Sequence, residues 1–433
     1  MVTSEFDFDF AVVGLGYVGL PLLVAAEEVG LRVLGFDVSV SRISSLSEPL
    51  KSVYGIPVEK LSRLDVGRNA LSGDSSKLNK ARAIAVCVPT PVDENFVPDL
   101  SFVLSAANTI AAQLQPGQIV ILESTVAPGT TEGVFKSALE SVSGLTAGQD
   151  FYLAYSPERI DPGNKKFDLS NTPKVVGGFD RQSSELAKSI YDQFVNEVVI
   201  AKGTVEAEAA KLLENTYRHV NISLINEFAL ACGAMGIDVF DVIRLASTKP
   251  FGFAPFTPSA GAGGHCIPVD PNYFSAALMA ETGRGMKFID LANEVNRSMP
   301  EKFVLFAMEA LAKQHFSGRP KVLVLGLTYK ANIADCRESP AFALIDGLLE
   351  AGVSVEIHDP LVQYVDLESE YRDLFTDELA AAVEAADLLI LLQFHDEYAE
   401  AGDLLSTNSF KVLTPLSPEI FSGAFGFMGK SAS

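Results

Sequence analysis

Residues 10–38 read FAVVGLGYVGLPLLVAAEEVGLRVLGFDV and decide how the chain begins to fold. The stretch opens with a short apolar run, passes through three glycines, continues with apolar residues at helical spacing and ends in a second apolar run, RVLGFDV. A strand, a helix and a second strand in this order pack as a right-handed parallel crossover. The sequence therefore predicts a parallel β-sheet that begins here.

Further apolar runs continue this pattern along the chain. Those at residues 81–89, 117–125, 151–156 and 172–178 predict one doubly wound α/β sheet over roughly the first 200 residues. From about residue 203 a helical period runs without Pro or Gly until Gly233, which predicts a helix of about 30 residues and roughly 45 Å. Helical sequence continues to about 316, and strand and helix patterns alternate again from about 319, predicting a second α/β domain.

Gly14, Gly16 and Gly19 form a GxGxxG pattern at the first strand-to-helix junction. Such glycines let the backbone approach a pyrophosphate at the N-terminus of a helix. Asp37 ends the second strand 23 residues after Gly14, where a carboxylate binds the adenosine ribose 2′-hydroxyl and repels a 2′-phosphate. The pattern favours NAD over NADP, and its alternative is a set of tight turns with a surface aspartate. Arg42 either contacts the same ribose or is a solvated residue at a helix start.

The composition limits the classes of protein to consider. A chain of 433 residues exceeds the size of one growing core, so two or three domains are expected. With 33 basic and 55 acidic residues the formal charge is -22, which argues against nucleic-acid partners and anionic membranes. The N-terminus is acidic, and no apolar run approaches the 18 or so residues of a membrane span, so we expect a cytoplasmic protein without membrane contact.

Cys266 lies in GAGGHCIPVD, residues 261–270, and has three possible roles. A buried cysteine that packs as a small apolar residue is the common default. A metal site is disfavoured, since the chain has five histidines, none paired with Cys266 at ligand spacing, and its four cysteines lack CxxC spacing. A nucleophile needs a partly exposed loop and a polar partner. Flanking glycines, and Asp270 on the same face if a helix starts near Cys266, favour the nucleophile.

Lys211 and Asn215 stand four positions apart in the predicted long helix and therefore share one face. A lysine by its charge and an amide by its N–H can hold a developing alkoxide or oxyanion. The alternative is a solvated helix face, which the residues alone do not exclude.

Seven motifs follow one another over nearly the whole chain. They are GLGYVG (14–19), CVPTP (87–91), ESTVAPGTT (123–131), YSPERIDPG (155–163), KLLEN (211–215), GAGGHCIPVDP (261–271) and LGLTYKANIADCRESP (325–340). Taken together, they resemble the nucleotide-sugar 6-dehydrogenases, the family of UDP-glucose, GDP-mannose and UDP-N-acetylhexosamine dehydrogenases.

The resemblance implies an α/β fold of two Rossmann-like doubly wound domains joined by a long central helix and a helical dimerisation region. It implies an NAD-binding domain at 1–202, a helical dimerisation domain carrying the cysteine at 203–316 and a nucleotide-sugar-binding domain at 317–433. The implied enzyme is a homodimer that oxidises a sugar C6 alcohol to a uronic acid with two NAD+, through a thiohemiacetal and a thioester on the cysteine. Such uronic acids serve polysaccharide biosynthesis.

The resemblance also assigns residues. It implies catalytic roles for Cys266 as nucleophile, Lys211 and Asn215 at the oxyanion, Asp270 and Glu158 in proton transfer, and Thr125 in holding water. The cofactor-binding residues it implies, together with those read from the glycine pattern, are Gly14, Gly16, Tyr17, Val18, Gly19, Asp37, Arg42, Pro89, Thr90, Thr125 and Arg337. The substrate-binding residues are Glu158, Arg159, Lys211, Asn215, Arg218, Gly261, Gly263, Gly264 and Lys330. No metal is expected. For Lys330 and Arg337 the alternative is a domain-interface ion pair.

The sugar is read from the segment NTYRHVNISLINE and from ASTKPFGFAPF after it, which look like the branch that oxidises UDP-N-acetylhexosamines. Arg218 would contact the 2-acetamido group or a neighbouring subunit, although an arginine on an exposed helix is common. UDP-N-acetylglucosamine or UDP-N-acetylmannosamine is therefore expected, with UDP- or TDP-glucose as the alternative. More remote alternatives are a two-electron hydroxyacid-type dehydrogenase, which needs no cysteine, and an NAD-binding protein without catalysis.

Overall fold

The computed structural model describes residues 6–50, 53–93, 97–161, 163–164, 166–314, 318–401, 405 and 412–416. Its first sheet is built from eight strands. They are β1 (Phe8–Val13), β2 (Val33–Phe36), β3 (Ala70–Ser72), β4 (Ala81–Val86), β5 (Ile119–Leu122), β6 (Tyr152–Tyr155), β7 (Lys174–Gly178) and β8 (Val198–Ile200).

The strand order in this sheet is β3-β2-β1-β4-β5-β6-β7-β8. The first six strands pair in parallel, in the order typical of a dinucleotide-binding domain. β7 runs antiparallel to β6, and β8 is parallel to β7. Strands such as β5, IVIL, are buried on both faces, which explains why they read as continuous apolar runs.

Helices cover both faces of this sheet and create two apolar cores. They are α1 (Gly19–Glu28), α2 (Val40–Ser47), α3 (Val58–Leu61), α4 (Ser101–Ala111), α5 (Lys136–Ser143) and α6 (Arg181–Tyr191), with a 3-10 helix at Ser75–Lys80 and a π-helical turn at Thr131–Phe135.

The middle of the chain is helical, as its period predicts. Its four helices are α7 (Thr204–Met235), α8 (Val239–Ala246), α9 (Asp270–Thr282) and α10 (Lys287–Ala312). α7 has 32 residues, so the prediction of a helix of about 30 residues from about 203 is confirmed.

The last part of the chain forms a second parallel sheet in the order β10-β9-β11-β12. Its elements are β9 (Lys321–Leu325), α11 (Pro340–Glu350), β10 (Ser354–His358), a 3-10 helix at Tyr364–Asp366, α12 (Ser369–Arg372), α13 (Leu379–Ala385), β11 (Leu388–Leu391), α14 (Asp396–Glu400) and β12 (Val412–Leu413). The predicted α/β fold with two Rossmann-like sheets and a long helix is confirmed.

The chain packs as two compact units. The first comprises Met1–Glu214 and Asn272–Arg284, and the second comprises Asn215–Pro271 and Gly285–Ser433. The division falls inside α7 and α9, so both units contain central helices. The three-domain boundaries stay a prediction, and the boundary at 316/317 lies outside the described residues.

Candidate active site

The glycine motif forms the turn between β1 and α1. Gly14 has a φ of +92°, and a Cβ on it would stand 2.5 Å from the carbonyl oxygen of Cys87, so only glycine fits there. At Gly16 no atom lies within 4 Å of the place where a Cβ would be. The turn is packed tightly against the sheet at Gly14 and open at Gly16, as a turn that admits a pyrophosphate requires.

Asp37 follows β2 and is joined to the same turn. Its Oδ2 accepts a hydrogen bond from the N–H of Leu15, and its Oδ1 accepts one from the N–H of Ser39, each at 2.9 Å. Each carboxylate oxygen has a second lone pair, and the side chain is only half-buried, so both oxygens can still accept from ribose hydroxyls. The open glycine turn and this carboxylate fit NAD.

Arg42, in the first turn of α2, contacts an aromatic pair beside the glycine turn. Tyr54 lies against Tyr17, with ring centroids 4.0 Å apart, and the guanidinium of Arg42 donates to the hydroxyl of Tyr54 at 2.7 Å. Tyr54 has a φ of +52°, which is rare for a bulky residue and often occurs at binding sites. Arg42 is half-buried and has this aromatic partner, and its contact with the ribose stays a prediction.

Pro89, Thr90 and Thr125 follow the next two strands of the sheet, β4 and β5, at their carboxyl ends. The carbonyl oxygen of Thr90 accepts the O–H of Tyr273 at 2.8 Å. Ligands of parallel α/β sheets bind outside this edge. The roles of the three residues in binding the cofactor stay a prediction.

Glu158 lies beyond β6 among charged side chains of the first unit. Burial raises the pKa of its carboxyl above the ordinary value, while the positive charges of Lys174 and Lys211 oppose that rise. Lys174 is buried and pairs with Glu123 at 2.8 Å, and Tyr191 donates its O–H to the same carboxylate. A carboxyl group with a raised pKa beside a lysine is suited to proton transfer.

Arg159, next to Glu158, forms a fork with two acceptors. Its guanidinium pairs with Glu214 at 2.6 Å and donates to the carbonyl oxygen of Pro173 at 2.6 Å. Both partners belong to the first unit, and a role for Arg159 in substrate binding stays a prediction.

Lys211 and Asn215 are both buried in α7, with 8% and 6% of their surfaces exposed. The alternative of a solvated helix face is therefore wrong for these two positions. In the second unit, the amide of Asn215 donates to Oδ2 of Asp270 at 2.5 Å, and Asp270 is itself only 4% exposed. The structure thus brings together two predicted catalytic residues that are 55 positions apart.

Cys266 is the exposed member of the four cysteines, all of which lie in described parts of the chain. The alternative of a buried packing residue is therefore wrong. The helix that we expected to start near Cys266 starts at Asp270, but a single turn joins the two, since the N–H of Asp270 donates to the carbonyl oxygen of Cys266 at 2.9 Å. An exposed thiol thus lies one turn before the Asn215–Asp270 pair.

The glycines before Cys266 pack against the loop that follows β9 in the same unit. Gly264 has a φ of +81°, and a Cβ on it would stand 2.9 Å from the ring of Tyr329. Its N–H donates to the carbonyl oxygen of Arg337 at 3.2 Å. A Cβ on Gly263 would stand 2.6 Å from the carbonyl oxygen of Glu338. Close contact between these two loops is one physical reason for the glycines.

Lys330 and Arg337 lie in that loop. Lys330 is half-buried. The guanidinium of Arg337 pairs with both oxygens of Asp335, at 2.9 Å from Nε to Oδ1 and 2.6 Å from Nη2 to Oδ2. Arg218 is exposed on α7, and its predicted role, like those of Lys330 and Arg337, stays a prediction.

Three consecutive parts of the sequence match the three domains of one protein family. Residues 9–195 match the NAD binding domain of the UDP-glucose/GDP-mannose dehydrogenase family, residues 205–298 its central domain, and residues 323–414 its UDP binding domain. The chain belongs to the UDP-glucose/GDP-mannose dehydrogenase family. The predicted family, the NAD cofactor and the oxidoreductase class are confirmed.

Relatives of this dehydrogenase agree with that membership. The chain is 37% identical over 401 residues to the UDP-N-acetyl-D-glucosamine 6-dehydrogenase of Pseudomonas aeruginosa, covering 92% of each chain. It is 34% identical to the UDP-N-acetyl-D-mannosamine dehydrogenase of Methanocaldococcus jannaschii, covering 89% of this chain and 86% of the relative. The solved UDP-D-ManNAc dehydrogenase of Pyrococcus horikoshii superposes with a TM-score of 0.84 at 31% identity, covering 94% and 96% of the two chains.

Two further properties of the dehydrogenase concern what its described residues lack. Over the described ranges, no helix is long and apolar enough to cross a membrane. Nor do those ranges contain a group of three or more His, Cys, Asp or Glu side chains placed to hold a metal ion.

Sequence reasoning missed three residues of the dehydrogenase that make notable contacts. Tyr54 covers Tyr17, and its only signal is the Tyr-Gly turn in which it lies. Glu208, one turn before Lys211, accepts from the N–H groups of Gly129 and Thr131 at 2.6 Å and 2.8 Å, and no local pattern indicates this. Asp359 follows β10 as Asp37 follows β2, and that position was a usable signal.

Proposed function

We propose that this dehydrogenase oxidises the C6 alcohol of a UDP-N-acetylhexosamine, UDP-N-acetylglucosamine or UDP-N-acetylmannosamine, to the uronic acid. The observation that carries the proposal is the exposed Cys266, one helical turn before the buried Asn215–Asp270 pair, in a segment packed on the Lys330 loop. A two-electron dehydrogenase has no use for that thiol. The relatives named for the two N-acetylhexosamines support the choice of sugar.

The reaction needs two oxidations at one carbon. NAD+, when bound at the glycine turn and Asp37, supplies a hydride acceptor for each of them. Asp270 or Glu158, or a water held by Thr125, takes the hydroxyl proton as the alcohol becomes an aldehyde. The thiolate of Cys266 then adds to the aldehyde carbon, which keeps the aldehyde from escaping.

Two residues then act on the oxygen of the thiohemiacetal. Lys211 offers a positive charge and Asn215 an amide N–H to the developing oxyanion. Loss of the second hydride leaves a thioester on Cys266, and water cleaves it to the carboxylate and the free thiol. Both hydrides are thereby taken up by NAD+, and the proton released when water cleaves the thioester passes to solvent.

The remaining predicted residues hold the ligands. We propose that Tyr17, Val18, Gly19, Arg42, Pro89, Thr90 and Arg337 bind NAD with Gly14, Gly16 and Asp37, and that Arg159, Arg218, Gly261, Gly263, Gly264 and Lys330 bind the nucleotide sugar. We propose that Glu158, Lys211 and Asn215 contact the sugar as well, which the raised pKa of Glu158 and the burial of Lys211 support.

We also propose a homodimer in the cytoplasm. Tyr217, Leu224 and Phe228 are 51%, 58% and 45% exposed and, at spacings of seven and four, form one apolar stripe along α7. An exposed apolar stripe on a helix marks an interaction surface, and a second copy of the same stripe can cover it. None of the four cysteines, all of which lie in described parts of the chain, forms a disulfide, which suits a reducing compartment.

The test is a panel of UDP-N-acetylglucosamine, UDP-N-acetylmannosamine, UDP-glucose, TDP-glucose and GDP-mannose, scored by NADH and by product mass. We expect two NADH per sugar, with a UDP-N-acetylhexosamine preferred by kcat/KM. One NADH per sugar with an aldehyde product would contradict the four-electron reaction. Preference for UDP-glucose would leave the chemistry standing and overturn the sugar.

A further inference from the structure

The loop that carries Lys330 is held by a buried carboxylate in the second unit. Asp359 follows β10 and is 2% exposed. Its Oδ2 accepts the N–H groups of Leu327 and Thr328, at 2.7 Å and 3.2 Å, and its Oδ1 accepts the N–H of Leu361 at 2.8 Å. The carboxylate therefore fixes the start of the loop, before Lys330.

A buried histidine fixes the other side of Lys330. His395 is fully buried, its Nδ1 accepts the N–H of Asn332 at 2.9 Å, and its Nε2 lies 3.0 Å from Oδ2 of Asp359. Because a backbone N–H can only donate, Nδ1 is the acceptor and the ring proton is on Nε2, which donates it to Asp359. The imidazole of His395 thus bonds to the backbone after Lys330 and to Asp359. Asp359 in turn binds the backbone before Lys330.

Asn332 shows that the end of the loop depends on these contacts. It has a φ of +62°, in the left-handed region, which asparagine tolerates at some cost. Its side-chain oxygen accepts the N–H of Asp396 at 2.8 Å, and the hydroxyl of Thr328 donates to the carbonyl oxygen of Lys330 at 3.1 Å. The loop is therefore fixed on both sides of the lysine.

The first unit also has an aspartate that follows its second strand and accepts an N–H from the turn after its first strand, but this aspartate is less buried. There Asp37 accepts the N–H of Leu15, just as Asp359 accepts that of Leu327. Asp37 is half-buried and faces a turn that is open at Gly16, whereas Asp359 is buried beneath His395. The carboxylate proposed to bind ribose in the first unit has a buried counterpart in the second, which accepts from the backbone of Leu327, Thr328 and Leu361 and from His395.

We propose that Asp359 and His395 are positioning residues that set the backbone of residues 327–332 and thereby place the Lys330 ammonium for the nucleotide sugar. The inference rests on the proposed function in one respect, that Lys330 contacts this ligand. Burial would raise the pKa of Asp359, but hydrogen bonds from His395 and from the backbone of Leu361 and Leu327 bring it below its ordinary value. The group is therefore a charged acceptor for all these donors.

The test is binding of UDP-N-acetylglucosamine to the full chain without NAD+, measured by calorimetry, in a double-mutant cycle of His395→Ala and Lys330→Ala. We expect each single change to raise Kd about tenfold or more. If His395 acts through Lys330, the double variant binds no more weakly than Lys330→Ala alone. The Kd for NAD+ should stay within about twofold of the wild-type value, which a general loss of structure would not allow.

His358→Gln is the matched control, because it removes a second buried imidazole, whose Nδ1 lies 3.0 Å from the hydroxyl of Tyr398 and not from a backbone N–H of the loop. His395→Asn keeps an acceptor for the N–H of Asn332 and should recover part of the affinity, and it replaces His395→Ala if that variant does not fold. Additive effects in the cycle, or equal losses in His358→Gln and His395→Ala, would overturn the positioning role. An unchanged Kd in Lys330→Ala would instead remove the proposed ligand contact, and the inference with it.

Discussion

Asn215 shows how much of the proposed chemistry depends on single buried polar groups. One N–H of its amide donates to Asp270, which fixes which end of the amide is nitrogen. The amide has a second N–H, and that hydrogen can donate to an oxyanion. By fixing the orientation of the Asn215 amide, the Asp270 carboxylate therefore also fixes the direction in which the second N–H donates.

The thiol of Cys266 has the most direct consequence for activity. In Cys266→Ser we expect NADH formation to fall at least roughly a thousandfold, because a serine hydroxyl is a far weaker nucleophile than a thiolate. NAD+ affinity, measured by calorimetry, should be unchanged. Cys336→Ser is the control, since Cys336 is a half-buried cysteine outside any disulfide, with no assigned role. A serine variant that still releases two NADH per sugar would contradict the nucleophile.

Glu208 gives the molecule a pH-dependent stability. Its burial raises its pKa from 4.5 to about 7, although three hydrogen bonds from Gly129 and Thr131 oppose the rise. The folded chain thus holds this proton more tightly than the unfolded chain, so the contribution of Glu208 to stability is lost as pH rises from about 4.5 to about 7, by on the order of 3 kcal/mol.

Glu208→Gln, which stays uncharged, should flatten that dependence. We expect the Tm of the variant minus the Tm of the wild type to increase as the pH is raised from 5 to 8, measured by calorimetry at constant ionic strength. Glu206→Gln is the control, because Glu206 lies on the same helix with half of its side chain exposed. Parallel pH profiles for Glu208→Gln and the wild type would show that the carboxyl is ionised throughout this range.

At the scale of elements, the two loops of the second unit depend on each other for their shape. The segment before Cys266 packs its glycines on the loop after β9, so a change in one loop displaces the other. We expect Gly264→Ala to lower kcat/KM by at least about tenfold, because its Cβ would meet the ring of Tyr329 at 2.9 Å.

Gly252→Ala is the control for backbone strain in that experiment. Gly252 has a φ of +70°, close to that of Gly264, but a Cβ on it would stand 3.9 Å from Nζ of Lys249, an ordinary contact. Both variants should lose roughly 1 kcal/mol of stability from the unfavourable φ. Equal kinetic effects would show that strain, and not the contact with Tyr329, is responsible.

Periodicity predicts elements whose pattern lies within one segment. β1, β2 and α7 follow directly from their apolar spacing, whereas β3 and β8, with three residues each, are too short to give a signal. Contacts between distant segments carry no local pattern, so the pairs Asn215–Asp270 and Asp359–His395 appear only in the fold. Cys266 was found from its motif, but its exposure required the structure.

At the scale of the whole molecule, the stripe on α7 predicts how the chain assembles. In Leu224→Glu with Phe228→Glu we expect the proposed dimer to dissociate, because two charges would have to be buried in an apolar interface. Molar mass from light scattering should halve. Val365→Glu, at a position that is 68% exposed elsewhere in the second unit, is the control and should stay dimeric. An unchanged mass in the double variant would place the interface elsewhere.

The way in which the two units share the central helices bears on how the protein is made. The first unit is completed only by Asn272–Arg284, whose Tyr273 hydroxyl donates to the carbonyl oxygen of Thr90. When residue 214 of a nascent chain has just left the ribosome, the first unit therefore still lacks Asn272–Arg284. The unit can be completed only after Arg284 has emerged. The two apolar cores of this unit consist of residues between Phe10 and Ala207 and can form earlier, so the contacts of Asn272–Arg284 are added last. A fragment ending at residue 214 would have the same defect, so the native unit is best studied within the full chain.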